Sequence, residues 1–353
     1  MSSATTQPTA ASTTAASAAS GTSADARADG RAGARAGSTS ARRLIRFVPL
    51  IVLVGILALL VVGNPRIAGP SNLSAIAVAA VPSALIAIGL AIIIAAAGDD
   101  VINGGIDLSL PNQAVIAAAI IALLLARGFA FPVALLAGVV VALAVGVLNS
   151  FLIVTLGMIP ILATLATSVF VGGATRAVTT NRRIEVTDPF IIALRDDAFL
   201  GVPVVIWFAV AVVVLASLFF HHTRFGLRIQ AVGGNREFAS SSGVKPGLYT
   251  LLAFLIASLL AGLAATTLLA RASGWSSGSE DQLLLDMLLA AYLAPVFSAR
   301  FIYTPLGAAI GALLTAALSN ALVLGGVDNS LIDGAKGLLI LMVIGASALA
   351  RKD

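Results

Sequence analysis

The sequence predicts an all-α polytopic integral membrane protein with about ten transmembrane helices, and three observations carry that prediction. Of its 353 residues, 59% are hydrophobic and only 10% charged, with a mean hydropathy of +1.04, which is too apolar for a soluble domain. The apolar residues fall in long runs near the length of about 20 residues that an α-helix needs to cross roughly 30 Å of hydrocarbon. Arginines gather at the ends of these runs and in the stretches between them, the pattern that orients membrane proteins. There is no cysteine, which removes disulfides, thiolate catalysis and thiolate metal sites. A net charge of +5 suggests nucleic acid at first sight. The arginines lie in the tail and loops rather than on one folded face, however, so topology explains them better and no nucleic-acid partner is expected.

Taken in order, residues 1–43 are mostly Ala, Ser, Thr and Gly with scattered Arg. They cannot bury enough apolar surface to offset the entropy of ordering and read as a disordered cytoplasmic tail. A cleaved signal peptide fits poorly, because the first apolar run begins only after Arg46 and contains no A-x-A site. Residues 44–350 read as the membrane domain. Its spans are expected near 47–63, 72–97, 111–127, 132–154, 161–180, 203–221, 247–270, 283–299, 304–325 and 331–349. Both termini are then cytoplasmic. The inner side holds the tail arginines, Arg224, Arg228, Arg236, Arg300, Arg351 and Lys352; segment 181–202 is a basic exception outside. Segment 98–110 is acidic yet placed inside, and only Thr155–Pro160 separates two spans. Either 98–110 or 155–180 is a candidate for a re-entrant element. Gly307 and Gly311 form a small-xxx-small face suited to helix packing.

The longest polar interruption after the tail is Thr223–Pro246, with Arg224, Arg228, Arg236 and Lys245 against one acid, Glu237. Asn235 is a natural N-cap for one short helix over 236–242, Gly243 suits a left-handed C-cap, and Pro246 forbids continuation. Such a stretch is either an ordinary charged loop or a capped helix that a soluble partner can grip.

Other polar residues admit a functional and a structural reading. Asp99, Asp100, Asn103, Gly104, Gly105, Asp107 and Ser109 sit together at the end of an apolar run. They form either a broken-helix turn near a translocation path or a turn in which Asp107 or Ser109 caps the helix at Pro111. Asp333 and Lys336 lie three apart in the last span and read as a buried ion pair or, more sharply, as a proton-coupling pair. Asp286 reads as interfacial, as do His221 and His222, which lack further ligands for a metal. Trp207 and Trp275 read as aromatic-belt anchors. The segments 181–202 and 271–282 mix Arg with Asp and Glu, as a solvated loop or a docking surface would. No G-x-x-x-x-G-K-[ST] is present, since GGNRE lacks the lysine, so this chain is expected to bind no ATP or other cofactor.

Three stretches resemble the ribose-type sugar ABC transporter permeases, within the branched-chain-type permease superfamily. FGLRIQAVGGNREFASSSGV resembles that family's coupling segment, INGGIDLSLPNQAVIAAA its GIDLS signature, and Leu285–Asp286 with GAAIGALLTAALSNALVLGGVDNSLIDGAKGLLIL its C-terminal pattern. The likeness runs in order from about residue 70 to 349. It implies an ABC importer permease fold in the bacterial inner membrane, moving a pentose or hexose. Gly233, Gly234, Asn235, Arg236, Glu237 and Gly243 would then belong to a helix that docks on a separate ABC ATPase subunit, which uses the ATP. The implied partners are that ATPase, a periplasmic sugar-binding protein and a second permease copy, identical or not. A branched-chain amino-acid permease and an ion-coupled secondary transporter are the alternatives. The chain departs from the family after Asp286, where MLLAAYLAPVFSARFIYTPLG replaces a glycine-rich turn, and at Ser240–Ser242, where the family often has Ala-Arg-Leu.

Overall fold

A computed structural model of the chain describes residues 47–98, 104–276, 278 and 280–349. The expected tail at 1–43, together with Asp99, Asp100 and Asn103, lies outside the described residues. The helices are α1 (Phe47–Gly63), α2 (Pro70–Ala97), α3 (Leu110–Ala126), α4 (Phe131–Ser150) and α5 (Pro160–Thr179). They continue as α6 (Pro189–Asp196), α7 (Val204–His222), α8 (Arg224–Gly234), α9 (Arg236–Ser241) and α10 (Pro246–Ala272). The last three are α11 (Glu280–Leu293), α12 (Pro305–Leu324) and α13 (Asn329–Leu349).

Proline opens most of these helices. It occupies one of the first two positions of α2, α3, α4, α5, α6, α10 and α12. There its missing N–H is one that the helix could not pair anyway, and its fixed φ is already helical. Side chains complete some of the starts. Asp188 accepts from the Phe190 amide at 2.9 Å to cap α6, and Thr304 accepts from the Gly307 amide at 3.1 Å to cap α12.

Among the described residues, seven helices are long and apolar enough to cross a membrane: α2, α4 with its π-helical extension Phe151–Thr155, α5, α7, α10, α12 and α13. The apolar helices α1 and α3 are shorter, at 17 residues or fewer, and α11 has 14 residues followed by a 3₁₀ turn at Ala294–Phe297. In segment 155–180 the chain turns at Gly157, with φ of 68°, and α5 then runs a full 20 residues, long and apolar enough to cross. Gly104–Ser109 is different: it is a buried non-helical segment inside the bundle, and the Gly105 amide bonds to the Gly98 carbonyl at 3.1 Å.

The helix α2 is apolar on every side, and a helix without a polar face must be enclosed. Of its most apolar stretch 83% is buried, against 22% for α7 and 28% for α4. Around it pack α10, α12, α11, α7 and α8. Small residues permit the closest approaches. A Cβ at Gly89 would press on Ala257 of α10, and Cβ atoms at Gly307 and Gly311 would overlap the carbonyls of Ala294 and Ala290. The Gly307–Gly311 face is therefore the contact between α12 and the α11 segment.

Four two-residue strands make two small ladders: β1 (Ile184–Glu185) pairs with β4 (Gly274–Trp275), and β2 (Ala198–Phe199) with β3 (Val202–Pro203). The helix α10 therefore has α8 and α9 before its first residue and the β1–β4 ladder after its last. Its 27 residues span about 40 Å at about 1.5 Å each.

Replacing Gly311 with Val forces a side chain into the Ala290 backbone. The expected loss is about 1–3 kcal/mol, read as a lower thermal midpoint in detergent, with Gly334→Ala, where a Cβ meets open space, as the neutral control.

Candidate functional site

The polar stretch after α7 folds as two helices rather than one. Thr223 caps α8 by accepting from the Gly226 amide at 3.1 Å, and Ile229 and Val232 are buried beneath it. Three glycines make this segment a poor helix by propensity, and packing supplies the reason for two of them. A Cβ at Gly226 would overlap the Phe219 and Phe220 carbonyls, and one at Gly233 the Ala95 carbonyl. Gln230 Nε2 donates to the Phe220 carbonyl at 2.7 Å, and Arg228 Nη1 donates to the Tyr249 hydroxyl at 2.8 Å. Those bonds fasten α8 to α7 and α10. Gly233 and Gly234 close α8 instead of lying in a loop.

The short helix α9 follows. Asn235 Oδ1 accepts from the Phe238 amide at 2.8 Å. Gly243, at φ 80°, ends the element while the Val244 amide bonds back to the Ala239 carbonyl at 3.0 Å. Ala239 is buried, whereas Arg236, Glu237, Phe238 and Ser240 are exposed. Phe238 is the notable one, 71% exposed at the tip of a charged element.

Beside it, the segment Gly104–Ser109 carries a network buried from solvent. Asp107 Oδ1 accepts from the Ser109 amide at 2.8 Å and from Ser109 Oγ at 2.6 Å. Gln113 Nε2 donates to Asp107 Oδ2 at 3.2 Å, and Asn149 Nδ2 donates to the same oxygen at 3.2 Å. Ser109 Oγ also accepts from both amides, at 2.9 and 2.8 Å. Asp107, Ser109, Gln113 and Asn149 are each 0% exposed. Thr164 Oγ1 of α5 accepts from the Leu108 amide at 3.2 Å. Neither Asp107 nor Ser109 caps α3 through its side chain, because both are turned toward one another and toward Asn149 of α4.

A cavity of about 220 Å³ joins the two features, with Gly104, Gly105, Gly157, Pro160 and Arg236 in its wall. The structure thus brings the first helical residue of α9 to the segment before α3, although 131 residues separate Gly105 from Arg236 in the chain. Gln113 and Asn149 are not apparent from motifs. Asn149 was findable as the one amide in the apolar run VALAVGVLNS, since a polar group at membrane depth usually has a buried partner.

The family model described as branched-chain amino acid transport system / permease component matches residues 72–345. The chain belongs to that family. It is similar to the ribose import permease protein RbsC of Bacillus subtilis, 29% identical over 84% of this chain and 90% of that one. It is also similar to the galactofuranose transporter permease protein YtfT of Escherichia coli K12, 28% identical over 75% and 76% of the two chains. The fructose import permease protein FruF of Bifidobacterium longum is 27% identical over 69% and 68%. No solved structure matches this chain. Family membership and the seven apolar helices make it a multi-pass protein of the inner cell membrane.

Elsewhere in this permease, Lys336 is 4% exposed. Its Nζ lies 2.7 Å from Asp286 Oδ1 of α11, an ion pair between helices. Asp333 stands 3.9 Å away with a side chain 39% exposed. The short ion pair therefore links α13 to α11, and Asp286, which reads as interfacial in sequence, is its acid. One of the two tryptophans also sits otherwise than its sequence context implies. Trp275 is 3% exposed, its Nε1 donating to the Val115 carbonyl at 3.2 Å, so it is a buried wall and no interfacial anchor. Trp207, 41% exposed, donates to the Phe199 carbonyl. His221 and His222 are exposed, and among the described residues no group of three or more His, Asp or Glu could hold a metal ion.

The segments 181–202 and 271–276 form one surface. Besides the β1–β4 ladder, Arg183 Nη2 donates to the Ala272 carbonyl at 2.9 Å and Arg195 Nη1 to Ser273 Oγ at 2.7 Å. Arg195 also grips Asp196 at 2.6 Å. The bond from that guanidinium holds the Asp196 carboxyl below the ordinary carboxylate range.

Removing one partner of an ion pair strands the other, whereas removing both need not. Lys336→Leu is expected to lower stability by about 3 kcal/mol, and the double variant Lys336→Leu with Asp286→Leu to recover most of it, by thermal unfolding in detergent. Asn149→Ala deprives Asp107 of a donor and is expected to lower stability by about 1–3 kcal/mol in the same assay.

Proposed function

We propose that this chain is the permease subunit of a bacterial ABC importer for a monosaccharide, a pentose or a hexose. The observation that carries the reading is α9: a capped, charged helix held on a fastened base, with Phe238 exposed at 71%. An aromatic side chain ringed by charged groups is an anchor for a soluble partner's pocket. That partner is an ABC ATPase subunit, which binds and hydrolyses ATP on the cytoplasmic side, while this chain holds no cofactor. Gly233, Gly234, Asn235, Arg236, Glu237 and Gly243 shape and present the docking element.

The names of the relatives, which concern ribose, galactofuranose and fructose import, support the sugar. ABC ATPases act in pairs, so two permease chains surround one path, each offering an α9. The joined surface of 181–202 and 271–276 lies at the opposite end of α10 and receives a periplasmic sugar-binding protein through its Arg and Asp side chains. Arg236, in the wall of the cavity that reaches Gly104 and Gly105, connects the docking helix to the buried Asp107 network. Motion of α9 is thereby felt beside the translocation path.

Phe238→Asp is expected to weaken ATPase association at least tenfold, about 1.4 kcal/mol or more, measured by co-purification after mild detergent extraction. Arg236→Glu and Glu237→Lys are expected to leave the permease in the membrane with ATP hydrolysis no longer tied to sugar uptake. Unchanged uptake in all three variants would count against the docking role. A ligand screen of the cognate binding protein decides between sugars and branched-chain amino acids.

A further inference from the structure

At the far end of α10 from α9 lies a second cavity, of about 230 Å³ and open on one side, lined by the ends of α10 and α11, the strand β4 and one face of α3. Its polar wall consists of Arg271, Ser276, Gln282 and Asp286, and Trp275 supplies an apolar side. We propose that this cavity is a transfer subsite for one uncharged sugar ring, occupied between release from the binding protein and passage through the bundle. The inference rests on the sugar-importer reading and adds to it a place within this chain that the sugar touches.

Its chemistry excludes simpler ligands. A cation entering would meet Arg271 and, behind Asp286, the ammonium of Lys336 2.7 Å from the carboxylate. An anion would meet the Asp286 carboxylate itself. With Asp333 3.9 Å from Lys336, the charges in and behind the wall are two of each sign and offset each other, and what remains is a set of donors and acceptors in one small space: guanidinium, amide, hydroxyl and carboxylate. Hydroxyl groups both donate and accept, so a neutral ligand bearing several of them can satisfy such a wall on more than one side. The small part of Trp275 that borders the cavity, pinned by its bond to Val115, is a fixed apolar patch beside which the C–H side of a ring can sit. The volume is smaller than the roughly 300–1,000 Å³ clefts that hold drug-sized ligands, and suits a single ring.

The wall is also wired to the fold. Asp286 is held by Lys336 of α13, and β4 is paired to β1 in the segment proposed to receive the binding protein. Arg271 and Leu269 belong to α10, whose other end carries α8 and α9. A shift of α10 therefore changes the cavity and the docking element together.

The test uses the assembled importer in cells lacking other routes for the sugars, with initial uptake of labelled ribose, fructose and galactose. Ser276→Trp places a large ring from an exposed position into the cavity, and is expected to lower maximal uptake at least tenfold. Gln282→Ala, also at an exposed position, is expected to lower it several-fold and unequally among the sugars. In both, the half-saturating concentration stays within twofold, because the binding protein sets it, and the ATPase still co-purifies. Uptake within twofold of wild type for Ser276→Trp at equal membrane abundance would overturn the subsite. Should Ser276→Trp disturb assembly, Gln282→Ala decides: an equal change for every sugar, or none, overturns the proposal. A wild-type importer that moves none of the sugars overturns the sugar reading itself, a distinct outcome seen before any variant is compared.

Discussion

Everything in this bundle is arranged around a helix that has no side to show to water. Along α2, from Val81 to Ile94, each residue is all but fully enclosed, and enclosure inside a membrane gives little hydrophobic advantage, since lipid is as apolar as isoleucine. The association must come from close packing. Alanines and glycines at the α2–α10, α4–α10 and α11–α12 contacts allow backbones to approach where larger side chains would hold them apart. The dispersion attraction between backbones so close is small for any one pair of atoms and large in sum. The bulky Leu, Val and Phe residues of α4, α5 and α7 face outward instead, as lipid-facing surface should.

Against that apolar background, each buried polar group is confined to a place where it has partners. Asp107 has four side-chain and backbone donors around it, and Lys336 has a carboxylate from another helix. The two clusters lie near opposite ends of the fold, one beside the docking helix and one behind the second cavity. Burial makes both unforgiving: a lost partner leaves a charge or dipole that neither lipid nor packed alanine can satisfy. They fix how the loop before α3 and the pair α11 and α13 sit, which apolar packing alone leaves free to slide.

Much of this was legible in the chain, because the physics behind it is local. Long apolar runs predict spans, and proline at the head of a run marks a helix start, so the expected boundaries differ from the helices by only a few residues. Asn235, Gly243 and Pro246 delimit α9 by short-range rules of capping and φ. What was not legible depended on contacts distant in sequence. Gly226 and Gly233 of α8 argue against a helix until Phe220 and Ala95 are seen pressed against them. Asp333, three residues from Lys336, is the natural partner on a helical wheel, yet Asp286 of another helix stands closer. Trp275 reads as a membrane-surface anchor, and only the pairing of β4 with β1 folds it inward. Asp107 and Ser109 read as caps, and only the arrival of Asn149 from α4 explains their orientation.

The pairing of Lys336 with Asp286 bears on how such a chain is made. Of the seven long helices, α13 has the lowest mean hydropathy, 1.4, and a lysine near a span's centre opposes insertion by about 2.5–3.5 kcal/mol. Its neutralising carboxylate belongs to a segment synthesised some fifty residues earlier, as positions 286 and 336 record. Until the ribosome has delivered α13, α11 carries an acid without this partner, and the lysine of α13 has only Asp333, 3.9 Å away, on its own helix. The ion pair thus rewards α11 and α13 for settling into the bilayer together rather than one by one.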